Sequence, residues 1–176
     1  MKINTYFFSI KYLSIIAFIV INSLCKGQTI AVNGTDWSPS ISPITEAGSD
    51  YAGTYESATN QILINVTIPG LLGLLRSETV QVHYESLPLW NNNLLLSVQR
   101  TNSGGGGGIC IGCSLTGGTT YQTITTTTTN FFNANIPIGL GTKTFTDIPI
   151  QLKLSGVSVT IPSAAYNARI VFTITN

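Results

Sequence analysis

The chain has 176 residues, 43% of them hydrophobic and only 9% charged, with eight Lys and Arg against seven Asp and Glu. A typical soluble domain carries roughly 25% charged residues, so Thr, Ser, Asn, Gln and Gly must cover this surface. Without a basic patch to neutralise phosphates, nucleic acid is not an expected partner and anionic membranes are poor ones.

Lys2 and Lys11 flank the start of the chain, then come an apolar run at 13–21 (LSIIAFIVI), polar Asn22 and Ser23, and the small residues Cys25 and Gly27. These are the parts of a secretory signal peptide in their usual order. The run is too short for a bilayer core, which needs about 20 apolar residues. Cleavage is expected after Gly27, giving a signal peptide over 1–27 and one domain over 28–176. The product is secreted or held at the cell surface, with no transmembrane span. It keeps five basic and seven acidic residues, a net charge of −2 with His83 neutral. Lipidation of Cys25 is the rival reading, but Leu24 stands where a lipoprotein signal wants a small residue.

Past the leader, apolar residues recur at every second position, the mark of strands with one buried face. In 61–68 (QILINVTI), Ile62, Ile64, Val66 and Ile68 share a face; in 79–84 (TVQVHY), Val80, Val82 and Tyr84 do. Residues 71–77 (LLGLLRS) form the one helix-like candidate, or else a buried connector. Further strands are expected over 94–100, 121–127, 143–150, 150–154, 157–161 and 169–175. Turns are expected at 69–70, 91–93, 137–141 and 155–156. Five glycines at 104–108 read as a loop. The threonine run 123–129 (TITTTTT) reads as a strand or sheet edge with one polar face, because Thr is β-branched. Seven to nine short antiparallel strands favour a single two-sheet β-sandwich.

Cys110 and Cys113 remain after cleavage. A zinc site needs more ligands than one His and these two thiols, and a redox CxxC needs a βαβ setting. An oxidising compartment instead favours a local disulfide stiffening the glycine-rich loop. For catalysis, His83 alternates away from Val80, Val82 and Tyr84 onto the solvent face, so no triad is legible. No enzyme activity and no cofactor are expected. Asp36, Glu46, Asp50 and Glu56 lie in a loop-rich stretch as a candidate calcium cluster, with solvated loop acids as the plain alternative. Trp37, Tyr51 and Tyr55 are the candidate ligand-facing aromatics, able to stack on sugars. Trp90, between Leu89 and Leu94, is assigned to the core, and Trp37 is expected to be the exposed tryptophan.

The segments 144–150 (TFTDIPI), 151–161 (QLKLSGVSVTI) and 166–175 (YNARIVFTIT), with a tyrosine opening the last strand, resemble the spore-coat-U and pilin-like group of secreted bacterial immunoglobulin-type domains. The leader ending at Gly27-Gln28 resembles those of Bacteroidota. The resemblance implies a fimbrial-like structural subunit of surface fibres or coats, joined by strand exchange. The run 29–35 (TIAVNGT) is short for a donor strand, and the cysteines lack the long spacing of the usual pilin disulfide. The expected role is therefore a non-enzymatic structural or adhesive surface protein. Its partners are its own copies or other cell-surface proteins, with 169–175 available to pair at a sheet edge. The alternative is a secreted carbohydrate-binding module for polysaccharide.

Overall fold

The computed structural model describes residues 27–70 and 73–176, the side chains of 73–75 aside. The expected leader, Cys25 included, lies outside the described residues except for Gly27. Among the described residues the fold is all-β and sandwich-like, a single antiparallel sheet curled almost into a barrel. Its strands are β1 (Thr29–Gly34), β2 (Thr54–Glu56), β3 (Ile62–Ile68), β4 (Gly73–Ser86), β5 (Leu95–Arg100), β6 (Gly105–Ile111), β7 (Ser114–Gly117), β8 (Gln122–Thr123), β9 (Thr129–Ser155) and β10 (Ala168–Thr175).

Strand β9 organises the rest. It is 27 residues long; straight, it would run roughly 90 Å, whereas a compact domain of this size is only about 40 Å across. It therefore has to bend. Along one side it pairs β4, then β3, then β2; along the other it pairs β7, β6 and β5. Irregular register marks the bends, as β-bulges do. Between Val80 and Gln81 the partner shifts from Phe132 to Asn130, leaving Phe131 as the extra residue. That is why two consecutive phenylalanines, Phe131 and Phe132, are both buried. Between Ile64 and Val66 the partner shifts from Ile148 to Phe145. There Asp147 takes a positive φ of 53°, and its N–H donates to Asn65 Oδ1 at 2.7 Å.

The outer strands close the curl. β1 pairs β3, β10 pairs β4, and β1 lies beside β10. On the other flank β8 pairs β5, Ile124 N–H donates to the Leu96 carbonyl, and Tyr84 N–H donates to the Thr125 carbonyl, each at 2.9 Å. The core inside gathers Ile64, Val66, Ile68, Val80, Val82, Val98, Phe132, Ile148 and Ile150, among others. The alternation read in 61–68 and 79–84 is thus the inner face, and half-buried Tyr84 packs against it.

Several local expectations are corrected. Among the described residues there are ten strands, where about seven to nine are expected. Residues 73–77 of the helix-like candidate belong to β4, paired along β9, since a short isolated helix carrying Gly73 is marginal without the partner strand that a sheet supplies. The expected turn at 137–141 lies inside β9, where pairing to β4 and β6 holds it extended. The glycine run is largely strand β6 instead of loop. It hugs β9 so closely that a Cβ on Gly104 or Gly108, both at positive φ, would strike the carbonyl of Thr146 or Thr142; only glycine permits that approach. Of the threonine run, Thr123 ends β8 and Thr129 starts β9, while 124–128 form a connection. Buried Ile124 anchors it, and Thr125 Oγ1 accepts from the Thr127 N–H, a local bond that competes with sheet pairing. Residues 157–161 are a turn, closed by Ile161 N–H on the Ser158 carbonyl.

One polar side chain is built into this frame. Arg100, at the end of β5, is 4% exposed. Its guanidinium donates to the carbonyls of Gly117 (2.9 Å), Asn102 (3.0 Å) and Leu115 (3.4 Å) and to Ser103 Oγ (3.0 Å). Burial lowers its pKa, yet an arginine stays charged throughout. It fastens β5 and the chain just after it to β7. Replacing Arg100 with Leu should cost about 2–4 kcal/mol by stranding those carbonyls. Chemical denaturation checks this, and an unchanged midpoint would contradict it.

Candidate functional site

Residues 35–53 carry little regular structure, because Pro39, Pro43 and Gly48 interrupt any strand. Their path leaves a cleft of about 330 Å³ lined by Pro43, Glu46, Asp50, Tyr51 and Tyr55, with neighbours from 42–52. Two of the three aromatics singled out in the sequence, Tyr51 and Tyr55, therefore meet at one concavity, both half-buried. Trp37 is not among its lining residues. It is half-buried and packs against the hydrophobic core, which corrects its expected exposure: an indole so close to β1 contributes more by covering the core than by facing water.

Asp50 fixes the shape of the cleft. Its carboxylate accepts the Tyr51 N–H at 2.8 Å, the Val159 N–H at 3.0 Å and the Ser158 hydroxyl at 3.2 Å. Two segments 109 positions apart are thereby joined. The Tyr51 and Val159 amides, and more weakly Ser158, hold the Asp50 carboxyl below its ordinary value of 3.8 against a small opposing effect of desolvation. Glu46 faces the same cleft. Among the described residues no three His, Cys, Asp or Glu side chains gather where a metal ion would need them, so Asp36, Glu46, Asp50 and Glu56 do not form the cluster considered from sequence.

The other candidates are dispersed. His83 is half-buried on β4, its Nδ1 at 3.2 Å from Thr128 Oγ1. Trp90 is half-buried against the core with its ring 5.5 Å from that of Tyr84, and its Nε1 has no hydrogen-bond partner. Cys110 and Cys113 form a disulfide with Cα atoms 5.8 Å apart, across the end of β6 and the start of β7.

Sequence reasoning missed three features. Glu78 on β4 is fully buried, with Arg76 Nη2 at 2.5 Å from one oxygen and its other oxygen unpartnered. It extends the inward-facing row of Val80 and Val82 by one step, but a carboxylate there reads as the end of the buried run. Tyr121 lies under Lys153 Nζ, 4.0 Å from the ring centre. Burial, then the Glu56 carboxylate nearby, push its phenol up to about 12. Lastly, Ile109, Ile111, Ile138 and Leu140 are exposed and stand opposite one another on β6 and β9, a pairing hidden by the reading of 137–141 as a turn.

Compared with protein-family models, curated proteins and solved structures, the chain has no match.

Because the Asp50 pKa is depressed, its hold on the loop is complete above the ordinary carboxylate value and is lost as pH falls through the lowered folded value. In an NMR titration the Tyr51 and Val159 amide signals should move together below pH 3.8, and Asp50→Asn should abolish that movement. Movement centred at or above the ordinary value would contradict the assignment.

Proposed function

We propose that the protein is exported through a cleaved leader and serves, without catalysis, as a structural or adhesive component of the cell surface, associating with its own copies or with other surface proteins. The observation that supports this best is the free edge of β6. Among the described residues β6 pairs β9 alone, and every β6 residue except half-buried Cys110 is exposed. Four of its seven residues are glycine, and it contains neither a charge nor a proline. Charged side chains, prolines and covering loops are the usual means of blunting a sheet edge; an edge without them is a template for another chain. The low overall charge adds little repulsion between copies. β10, the edge expected from sequence, also ends the sheet, pairing β4 alone among the described residues with β1 close to it.

A second reading rests on the tyrosine cleft. Tyr51 and Tyr55 beside Glu46 and Asp50 combine aromatic faces with hydrogen-bond acceptors, the composition of a small polysaccharide subsite. Under that reading Tyr55→Ala lowers glycan affinity at least about tenfold, the equivalent of roughly 1.4 kcal/mol. A glycan array without binding removes it.

Cell fractionation with immunogold electron microscopy tests the leading reading. The expected result is label on the outer surface or on filaments. Label confined to the cytoplasm would contradict it.

A further inference from the structure

Where β6 runs along β9, Ile109 stands opposite Leu140 and Ile111 opposite Ile138. Directly opposed residues and their i+2 neighbours lie on one face of a ladder, so these four side chains form one aliphatic patch. Their exposures are 71%, 61%, 68% and 55% in that order. On β9 they continue, at every second position, the row Phe132, Ala134, Ile136, whose members are buried. The apolar row outruns the layer that covers it.

We infer that this patch is the contact through which two copies of the chain pack face to face, each supplying the layer the other lacks. This rests on the reading of the protein as one that associates at the cell surface, and it names the partner and the residues. The chemistry of the patch selects the occupant. A sugar would need an aromatic face to stack on, and a bilayer surface would call for interfacial aromatic or clustered basic anchors; the four residues offer only branched aliphatic groups. An identical aliphatic patch matches it in shape class and lack of charge, and a two-fold axis places residue against residue without repulsion.

The area suits the same answer. The four side chains present roughly 450 Å² per copy, the size of the largest apolar patch on a typical monomer, a patch that is often functional. Two copies closing on it bury about 900 Å² of apolar area, below the roughly 1,200 Å² of a standard specific interface and so the size of a weak, reversible dimer. Sheets packed in this way lie about 10 Å apart with side chains interdigitating.

The test is sedimentation velocity on the exported, processed protein across roughly 1–200 µM, a range that brackets micromolar affinity. The wild type should run as a dimer at the upper end. The pair Ile109→Lys with Leu140→Lys should be monomeric throughout, with an unchanged far-ultraviolet circular dichroism spectrum and melting temperature because both side chains are exposed. Val159→Lys, exposed elsewhere, should dimerise like the wild type. A monomeric wild type, a dimeric double variant, or equal dissociation of the Val159 variant would each overturn the proposal. Failure here is distinct from failure of the wider role: a monomer still found on the cell surface overturns only this contact, whereas a dimer absent from the surface overturns only the location.

Discussion

A strand that is paired on both sides over most of its length constrains everything around it, and β9 is such a strand. Six other strands take their main-chain partners from it. Its residues Phe131, Phe132, Ala134, Ile136, Phe145, Ile148, Ile150, Leu152 and Leu154 supply much of the core. Because hydrogen-bond register fixes which side chains face inward, a slip in β9 would turn several partner strands out of the core at once. Its bulges at Phe131 and near Asp147 act as the bends that let one sheet wrap around its own apolar face. The all-β fold is therefore better described as two ribbons, 54–82 and 95–117, laid antiparallel along opposite sides of one long strand than as two independent sheets.

The sequence carries the inner face plainly and the long-range pairing poorly. Ile64, Val66, Ile68, Val80 and Val82 can be read by alternation alone, since burial of a strand face demands that period. Residues 137–141 and 104–108 are misleading because Gly and Pro are punctuators in isolation; between two pairing partners, or pressed against β9, the same residues are held extended. Arg100 and Glu78 illustrate a second limit. Burial of a charged side chain depends on acceptors or partners brought from elsewhere: carbonyls at 102, 115 and 117 for Arg100, and the Arg76 guanidinium for Glu78. Alternation puts both on the inner face, Arg100 in step with Leu96 and Val98 and Glu78 with Val80 and Val82, but it does not reveal the partners that make their burial possible. In the candidate site, Tyr51 and Tyr55 were legible as aromatic residues in a polar loop, but the Asp50 bridge to Val159 was not, because it joins segments far apart in the chain.

The proposed surface role draws on three features of the exterior. Few charges, a glycine edge without protective side chains, and an aliphatic patch beyond the covered core all reduce the cost of close approach. The disulfide between Cys110 and Cys113 sits where the edge strand ends. Its short loop contributes only about 2 kcal/mol or less to global stability in the chain-entropy account, so its larger effect is on the shape of the edge. The tyrosine cleft lies apart from this region, on the loop that precedes β2.

Native-state hydrogen exchange across β9 tests the central role of that strand most directly. If β9 unites the fold, the slow amides of 131–136 and of 148–154 exchange only through one global opening, with equal free energies and the same denaturant dependence. Two halves opening at clearly different free energies would show two separately stable sheets and contradict the account.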